Sequence, residues 1–302
     1  RICCSRAGST STARSACSSR PLAALTSAQV VSYDLRSDHL LLWIFDNRGV
    51  HSARVALSGP ALESEAHAFA TACSDPASDP RLLHTLARQL YSRLLQPVAA
   101  WLDPARLLIV EPDGALAQVP FAALRAPDGQ VLAQPVLQSP GLAFAPLARP
   151  AALTPSARLL AVADPPGGYD AEGELYPPLP TAAAEGAALE ALFAPHAELL
   201  RGAAATRATV LARLPRAEIF HFAGHADGGR LLLASSGTLA AADLNPATLS
   251  QCRLAVLAAC STAAGTLVDP DDLWRAARRA GVPRVVASKW AVDSAATQAL
   301  FQ

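Results

Sequence analysis

Two residues in this chain pair a reactive side chain with a setting that would present it. His225 ends the run Ile219-Phe220-His221-Phe222-Ala223-Gly224-His225, and Cys260 ends the run Leu254-Ala255-Val256-Leu257-Ala258-Ala259-Cys260. Each run is short, continuous and apolar, the pattern of a strand buried on both faces. Small residues follow each one. In an open parallel sheet, ligands meet the protein just beyond the C-terminal ends of the strands. A thiol and an imidazole delivered to that edge make a nucleophile and its proton-transfer partner. The 35 residues from position 225 to position 260 suit a strand, a hairpin, a helix and a return strand, a layout that makes the two neighbours across the edge.

Each residue alone has a plainer reading. The thiolate is the nucleophile, and a free cysteine is mostly protonated at neutral pH, so activation needs a base, a cation or a helix N-terminus nearby. Ser261-Thr262-Ala263-Ala264-Gly265 after Cys260 is small and polar, which lets a substrate carbonyl approach the backbone. Taken singly, a cysteine at a strand end is more often simply buried. Cys252, before the strand and beside no comparable motif, receives no role. A lone histidine is more often a hydrogen-bonded structural residue, yet Gly224 and Ala226 leave His225 uncrowded. A backbone N–H beside it could join that of Cys260 in stabilising an oxyanion. His221 and His225 mimic a metal-binding pair, but on a strand residues four apart lie roughly 13 Å apart, too far for one ion.

The elements that must position these residues follow from pattern. Residues 1–26 carry no structural periodicity. Their Arg and Ser without acids loosely resemble a transit peptide, but with no apolar periodic face they read as disordered. Alternation over Val30–Tyr33, Leu40–Phe45 and Val50–Leu57, with turn residues Asp46-Asn47-Arg48-Gly49, predicts a β-meander. Helices are expected at Pro60–Cys73 and from the Asp79 cap and Pro80 to about Leu102. Leu107–Val110 and Leu159–Ala163 read as buried strands, and the Pro- and Gly-rich stretch Pro165–Pro180 as a long loop, a candidate for a flexible or processed segment. Beyond it come a helix over Ala182–Phe193, a strand over Ala197–Leu200 and a helix capped by Thr206. A hairpin over Arg230–Leu239, helices from Asp243 and over Asp271–Ala280 (Gly281 at its C′ position), a strand over Arg284–Lys289 and a helix from Asp293 complete the pattern. Alternating strands and helices in the back half imply parallel βαβ units.

Composition removes several function classes. The 302 residues are 51% hydrophobic and 17% charged, with 25 basic and 25 acidic side chains. That zero formal balance argues against a general nucleic-acid or anionic-membrane partner, and no apolar run reaches transmembrane length. Six cysteines without a CxxC pair give no zinc spacing and suit free thiols in a reducing cytoplasm. Methionine is absent, even at position 1, so the chain reads as an internal fragment. No GxGxxG or P-loop opens any helix, which disfavours a nucleotide-binding domain.

From about Leu107 onward the sequence resembles the CHAT domain, a family of caspase-like cysteine peptidases related to separases and gingipains. The matching blocks are Glu111–Leu124 (EPDGALAQVPFAAL), Leu179–Glu185 (LPTAAAE), Ile219–Ala226 (IFHFAGHA), Val256–Gly265 (VLAACSTAAG) and Ala280–Asp293 (AGVPRVVASKWAVD), in that order. The resemblance implies an α/β fold, a caspase-like three-layer sandwich with a mostly parallel central sheet, preceded by the β-meander and helices. It divides the chain into a disordered segment (1–26), a meander with two helices (27–104) and a CHAT domain (105–302) that usually continues further. His225 and Cys260 then take the catalytic dyad positions, and the N–H groups of Ala226 and Cys260 the oxyanion hole, although many relatives carry Gly where Ala226 stands. Asp293 falls where separase-like relatives hold an acid that reads a basic side chain, with helix N-cap as its equal alternative. Trp290 matches the family tryptophan, which contacts substrate or packs in the core. Asp269, Asp271 and Asp272 read as a solvated loop and a helix cap. The activity implied is a cysteine endopeptidase acting on protein or peptide substrates, without cofactor or metal. Its upstream partner would be a tetratricopeptide-type sensor module. The rival implication is a catalytically inactive CHAT-like scaffold for protein interactions.

Overall fold

The structure, a computed structural model, describes residues 27–139, 153–154, 156–166, 168, 175–260, 262–263, 272–293 and 296. Its strands in chain order are β1 (Ala28–Leu35), β2 (His39–Asp46), β3 (Gly49–Ala56), β4 (Leu107–Glu111), β5 (Val136–Gln138), β6 (Leu159–Ala163), β7 (Ala197–Arg201), β8 (Ile219–Ala223), β9 (Ala226–Asp227), β10 (Arg230–Leu233), β11 (Gly237–Leu239), β12 (Leu254–Ala258) and β13 (Arg284–Ala287). The helices are α1 (Gly59–Ser74), α2 (Pro80–Leu94), α3 (Pro180–Phe193), α4 (Arg207–Arg213) and α5 (Leu273–Arg279).

The first sheet has the order β3-β2-β1-β4-β5. Its meander is antiparallel, with Val30 opposite Phe45 and Leu42 opposite Ala53. β4 then adds to β1 in parallel, Val30 opposite Ile109, and β5 adds to β4. An organisational boundary between residues 104 and 105 therefore cuts through one sheet. Helices α1 and α2 cover one face, burying Phe69 and Leu90 against Val31, Leu42 and Val110. Both start as their sequences dictate: Ser58 Oγ accepts from the Ala61 N–H and Asp79 Oδ1 from the Arg81 N–H, with proline in the first turn of each. α2 stops at Leu94, short of Leu102, and the chain continues as a 3-10 turn over Gln96–Trp101. Pro97 lacks the N–H a continuing helix needs.

The second sheet is wholly parallel, in the order β13-β12-β8-β6-β7. On one face, Leu189 and Phe193 of α3 pack against Leu159, Ala161 and Ile219. On the other, α4 and α5 cover Leu160, Val162, Phe220, Phe222, Ala255 and Leu257. The result is the expected three-layer α/β sandwich with a parallel central sheet. All five residues of β8 are buried, and burial of each of its two phenylalanines contributes about 1.5–3 kcal/mol. Gly186 lets α3 sit close on the sheet: a Cβ there would come within 2.5 Å of the Ala163 methyl.

β7 lies on one side of β6 and β8 on the other, so the chain reverses its direction of winding between β6 and β8. A crevice opens at such a point. The stretch from Asp243 forms no α-helix. It is a 3-10 turn over Ala241–Asp243 followed by further turns. Asn245 Oδ1 accepts from the N–H groups of Ala247 and Thr248, taking donors a helix would use. α5 ends as read, with Gly281 at φ +98° and the Val282 N–H on the Ala277 carbonyl. Residues 1–26 and most of the chain after Asp293 lie outside the described residues.

Candidate active site

Ala223 and Ala258 pair at the ends of β8 and β12. His225 and Cys260 each follow two residues later, from the same edge of the parallel sheet. Both line one cleft of about 110 Å³. Its other walls are Leu179, Thr181, Ala182 and Glu185, leading into and along α3, the strand-end residues Gly224 and Ala259, and Val292 after β13. Both side chains are partly exposed. A larger hollow of about 450 Å³ lies on the first sheet beside Asp46, Arg48, His51 and Trp101. Its charged groups pair with one another, Arg48 with Asp46 and Asp103, and it contains no nucleophile with a base.

The imidazole is held from two sides. His225 Nε2 lies 2.8 Å from the Pro177 carbonyl oxygen, and the Tyr176 ring packs at 4.7 Å between centroids. A carbonyl only accepts, so Nε2 carries the hydrogen and Nδ1 is the basic nitrogen of the neutral ring. This is the arrangement in which a third group orients a catalytic base. The close quarters depend on Gly224: a Cβ there would sit 2.9 Å from Phe222 Cζ and 3.0 Å from Pro165 Cδ.

After His225 the chain enters a hairpin. Gly228 and Gly229 have φ of +51° and +73°, as a two-residue type I′ turn requires. The Leu232 N–H donates to the His225 carbonyl at 2.9 Å, and Ala226 faces Leu231. Hydrogen-bonded and non-bonded pairs alternate along an antiparallel ladder, so Ala226 falls at a non-bonded position with its N–H directed away from β10.

The Cys260 thiol lies 3.9 Å from the Val292 carbonyl oxygen. The turn that carries it is stapled to the end of β13. Thr262 Oγ1 donates to the Leu257 carbonyl at 3.0 Å, the Ser288 N–H donates to Thr262 Oγ1 at 3.0 Å, and the Ala263 N–H donates to the Ser288 carbonyl at 2.7 Å. Cys252 is buried with its sulfur on the Leu254 carbonyl, and burial pushes its pKa up to about 11. Burial also raises that of Cys73.

Behind the cleft wall, His221 Nε2 lies 2.7 Å from Glu185 Oε1, with side-chain exposures of 4% and 7%, a pair that is ionic when the imidazole is protonated. His221 is thus tied to α3. Among the described residues no group of three or more His, Cys, Asp and Glu could hold a metal ion.

Trp290 and Asp293 do not line the cleft, although Val292 between them does. Asp293 is exposed, and its Oδ1 accepts from the Ala296 N–H at 2.8 Å, the contact of a helix cap. Asp272 occupies the N-cap position of α5 and is buried, 3.7 Å from Arg275, where a solvated residue was expected. Asp269 and Asp271 lie outside the described residues. Pattern reading missed Tyr176, Pro177, Glu185 and Ser288 as parts of this site. Glu185 stands in a block quoted for the resemblance, and the loop carrying Pro177 is conspicuous for its prolines, but neither signal names a contact.

A profile of the CHAT domain matches residues 84–302. The chain belongs to the CHAT domain family. The match begins within α2, so the family unit takes in part of the first sheet's helical cover as well as the parallel sheet. Among solved structures, this CHAT chain is similar to the Arg-specific cysteine proteinase gingipain R, with a TM-score of 0.39 and 9% identity, over 74% of this chain and 56% of that one. The chain therefore spans little more than half the length of that protein, and a superposition so loose carries no argument about the site. No curated protein matches the chain. Among the described residues no helix is long and apolar enough to cross a membrane.

Proposed function

We propose that this CHAT domain is a cysteine endopeptidase that cleaves protein substrates through a His225/Cys260 dyad. The observation that carries the proposal is the placement of both side chains on one cleft, each two residues beyond a pair of matched strand ends. His225 takes the thiol proton, and the Cys260 thiolate adds to the scissile carbonyl carbon. The N–H groups of Ala226 and Cys260 receive the oxygen as it becomes an oxyanion. Collapse of the adduct breaks the C–N bond, and the imidazolium gives its proton to the departing amine, leaving a thioester. A water, deprotonated by His225, adds to the thioester. The acid product leaves and the thiol is regenerated. Pro177 holds the imidazole in one orientation throughout.

The finer proposal is cleavage after basic residues, with Asp293 meeting the cation and Trp290 forming an adjacent wall. Asp293 directly follows Val292, which lines the cleft, and a carboxylate is a strong partner for Arg or Lys. D293N should lower kcat/KM for Arg and Lys substrates at least tenfold and leave neutral ones within twofold. The dyad itself is tested with a thiol-reactive peptidyl probe and a peptide library. The expected result is capture at Cys260 and library cleavage, both abolished in C260A and strongly slowed in H225A. Unchanged cleavage by C260A, or a folded chain whose Cys260 ignores the probe, would overturn it.

A further inference from the structure

The peptide joining Ala259 to Cys260 has its carbonyl held by the Ser288 hydroxyl, and the Thr262 hydroxyl, whose hydrogen goes to the Leu257 carbonyl, packs beside it. Ser288 Oγ donates to the Ala259 carbonyl oxygen, and Thr262 Oγ1 lies 3.5 Å from the same oxygen. The two hydroxyls are themselves 3.3 Å apart, and the Thr262 N–H donates to Ser288 Oγ at 3.4 Å. Thr262 is 2% exposed, so this is an interior clasp between the turn after β12 and the end of β13.

A peptide unit is planar and trans, so its C=O and N–H point in opposite directions. Fixing the Ala259 oxygen in the clasp fixes the Cys260 N–H on the other side. That N–H donates to no carbonyl among the described residues, and Cys260 lines the cleft. Donors on a peptide oxygen also polarise the amide and strengthen its N–H as a donor.

We propose that Thr262 and Ser288 are positioning residues for the oxyanion-binding amide of Cys260. They orient that N–H toward the developing negative charge and keep it there through the reaction. The inference rests on the endopeptidase reading above and adds to it two side chains that touch no substrate. An oxyanion donor must be aimed before charge develops, because its advantage lies in needing no reorganisation during the step. A turn held only by its own backbone would not meet that requirement.

The test uses the full chain with T262V, T262S and S288A, a cleavable peptide, and 2-chloroacetamide. This small reagent alkylates a thiol without forming an oxyanion. T262V and S288A should each lower kcat about tenfold or more, given that loss of a whole donor costs 10²–10³. KM and the rate of Cys260 alkylation should stay within about threefold, and T262S should restore kcat. Should T262V fail to fold, S288A, which strips the hydroxyl donor from the Ala259 carbonyl, decides alone. Folded variants with wild-type kcat, or with alkylation slowed as much as cleavage, overturn the inference and leave the dyad standing. A wild-type chain that hydrolyses nothing overturns the endopeptidase reading and this inference with it.

Discussion

His225 sits in a space that admits no side chain on the residue before it. G224A places a methyl against Phe222 and Pro165 at about 3 Å, and overpacking of this kind costs about 1–3 kcal/mol. The strand is buried and cannot yield, so the strain should move the imidazole off the Pro177 carbonyl. The expected outcome is a lower midpoint in thermal unfolding together with slower probe capture at Cys260. A second residue-level contrast separates the thiols. At pH 8, alkylation followed by peptide mapping should modify Cys260 well before Cys252, whose pKa burial pushes up to about 11. The placing of His225 and Cys260 at strand ends was legible in the sequence, because two apolar runs too short for helices, each followed by small residues, suit buried strands. Their partners were not. Pro177 is 48 residues from His225 in the chain and Ser288 is 26 from Thr262, and such contacts are made by the fold, not by local pattern.

At the scale of elements, the Glu185–His221 pair pins α3 to β8 behind the cleft wall. Removing one partner of a buried ion pair leaves the other uncompensated and costs about 3–5 kcal/mol, whereas replacing both with apolar residues of similar size is often near neutral. E185A and H221A should therefore each lower the urea midpoint sharply, and a double E185L/H221L variant should recover much of the loss. Equal destabilisation by single and double variants would show that the pair is not the unit. Periodicity served well for the long elements: the meander, α1 and the five strands of the parallel sheet are where apolar spacing put them. It failed where side chains bond to nearby backbone or a proline intervenes, at Asp243–Asn245 and at Pro97. The role of β4 was also illegible, because a short apolar run does not say which sheet it will join.

For the molecule as a whole, Lys289 links the two sheets. Its ammonium donates to the Ala117 carbonyl at 2.6 Å, in the 3-10 turn Gly114–Gln118 that belongs to the first sheet's core. Burial pushes its pKa from 10.5 down to about 8, with Asp272 opposing the shift. In the unfolded chain the amine keeps its proton up to the ordinary lysine range. Between about pH 8 and that range the unfolded state thus binds more protons, and stability rises with pH. The contribution of this one group is about 3 kcal/mol, and because the raised thiols of Cys252 and Cys73 work in the opposite direction in both proteins, it should appear as a wild-type denaturation midpoint that climbs relative to that of K289M. A midpoint that falls equally in both proteins over that interval would contradict it.

Ser288 and Lys289 are adjacent in the chain, yet one grips the loop bearing the nucleophile and the other grips the meander half of the molecule. A fragment trimmed to begin at β6 would keep every residue of the cleft and still lose the brace behind its last strand. Such a truncated protein would fold a sheet with its sulfur in place and its amide adrift. Anyone shortening this chain for expression should retain the segment around Ala117, because the far half of the molecule helps to aim the near one.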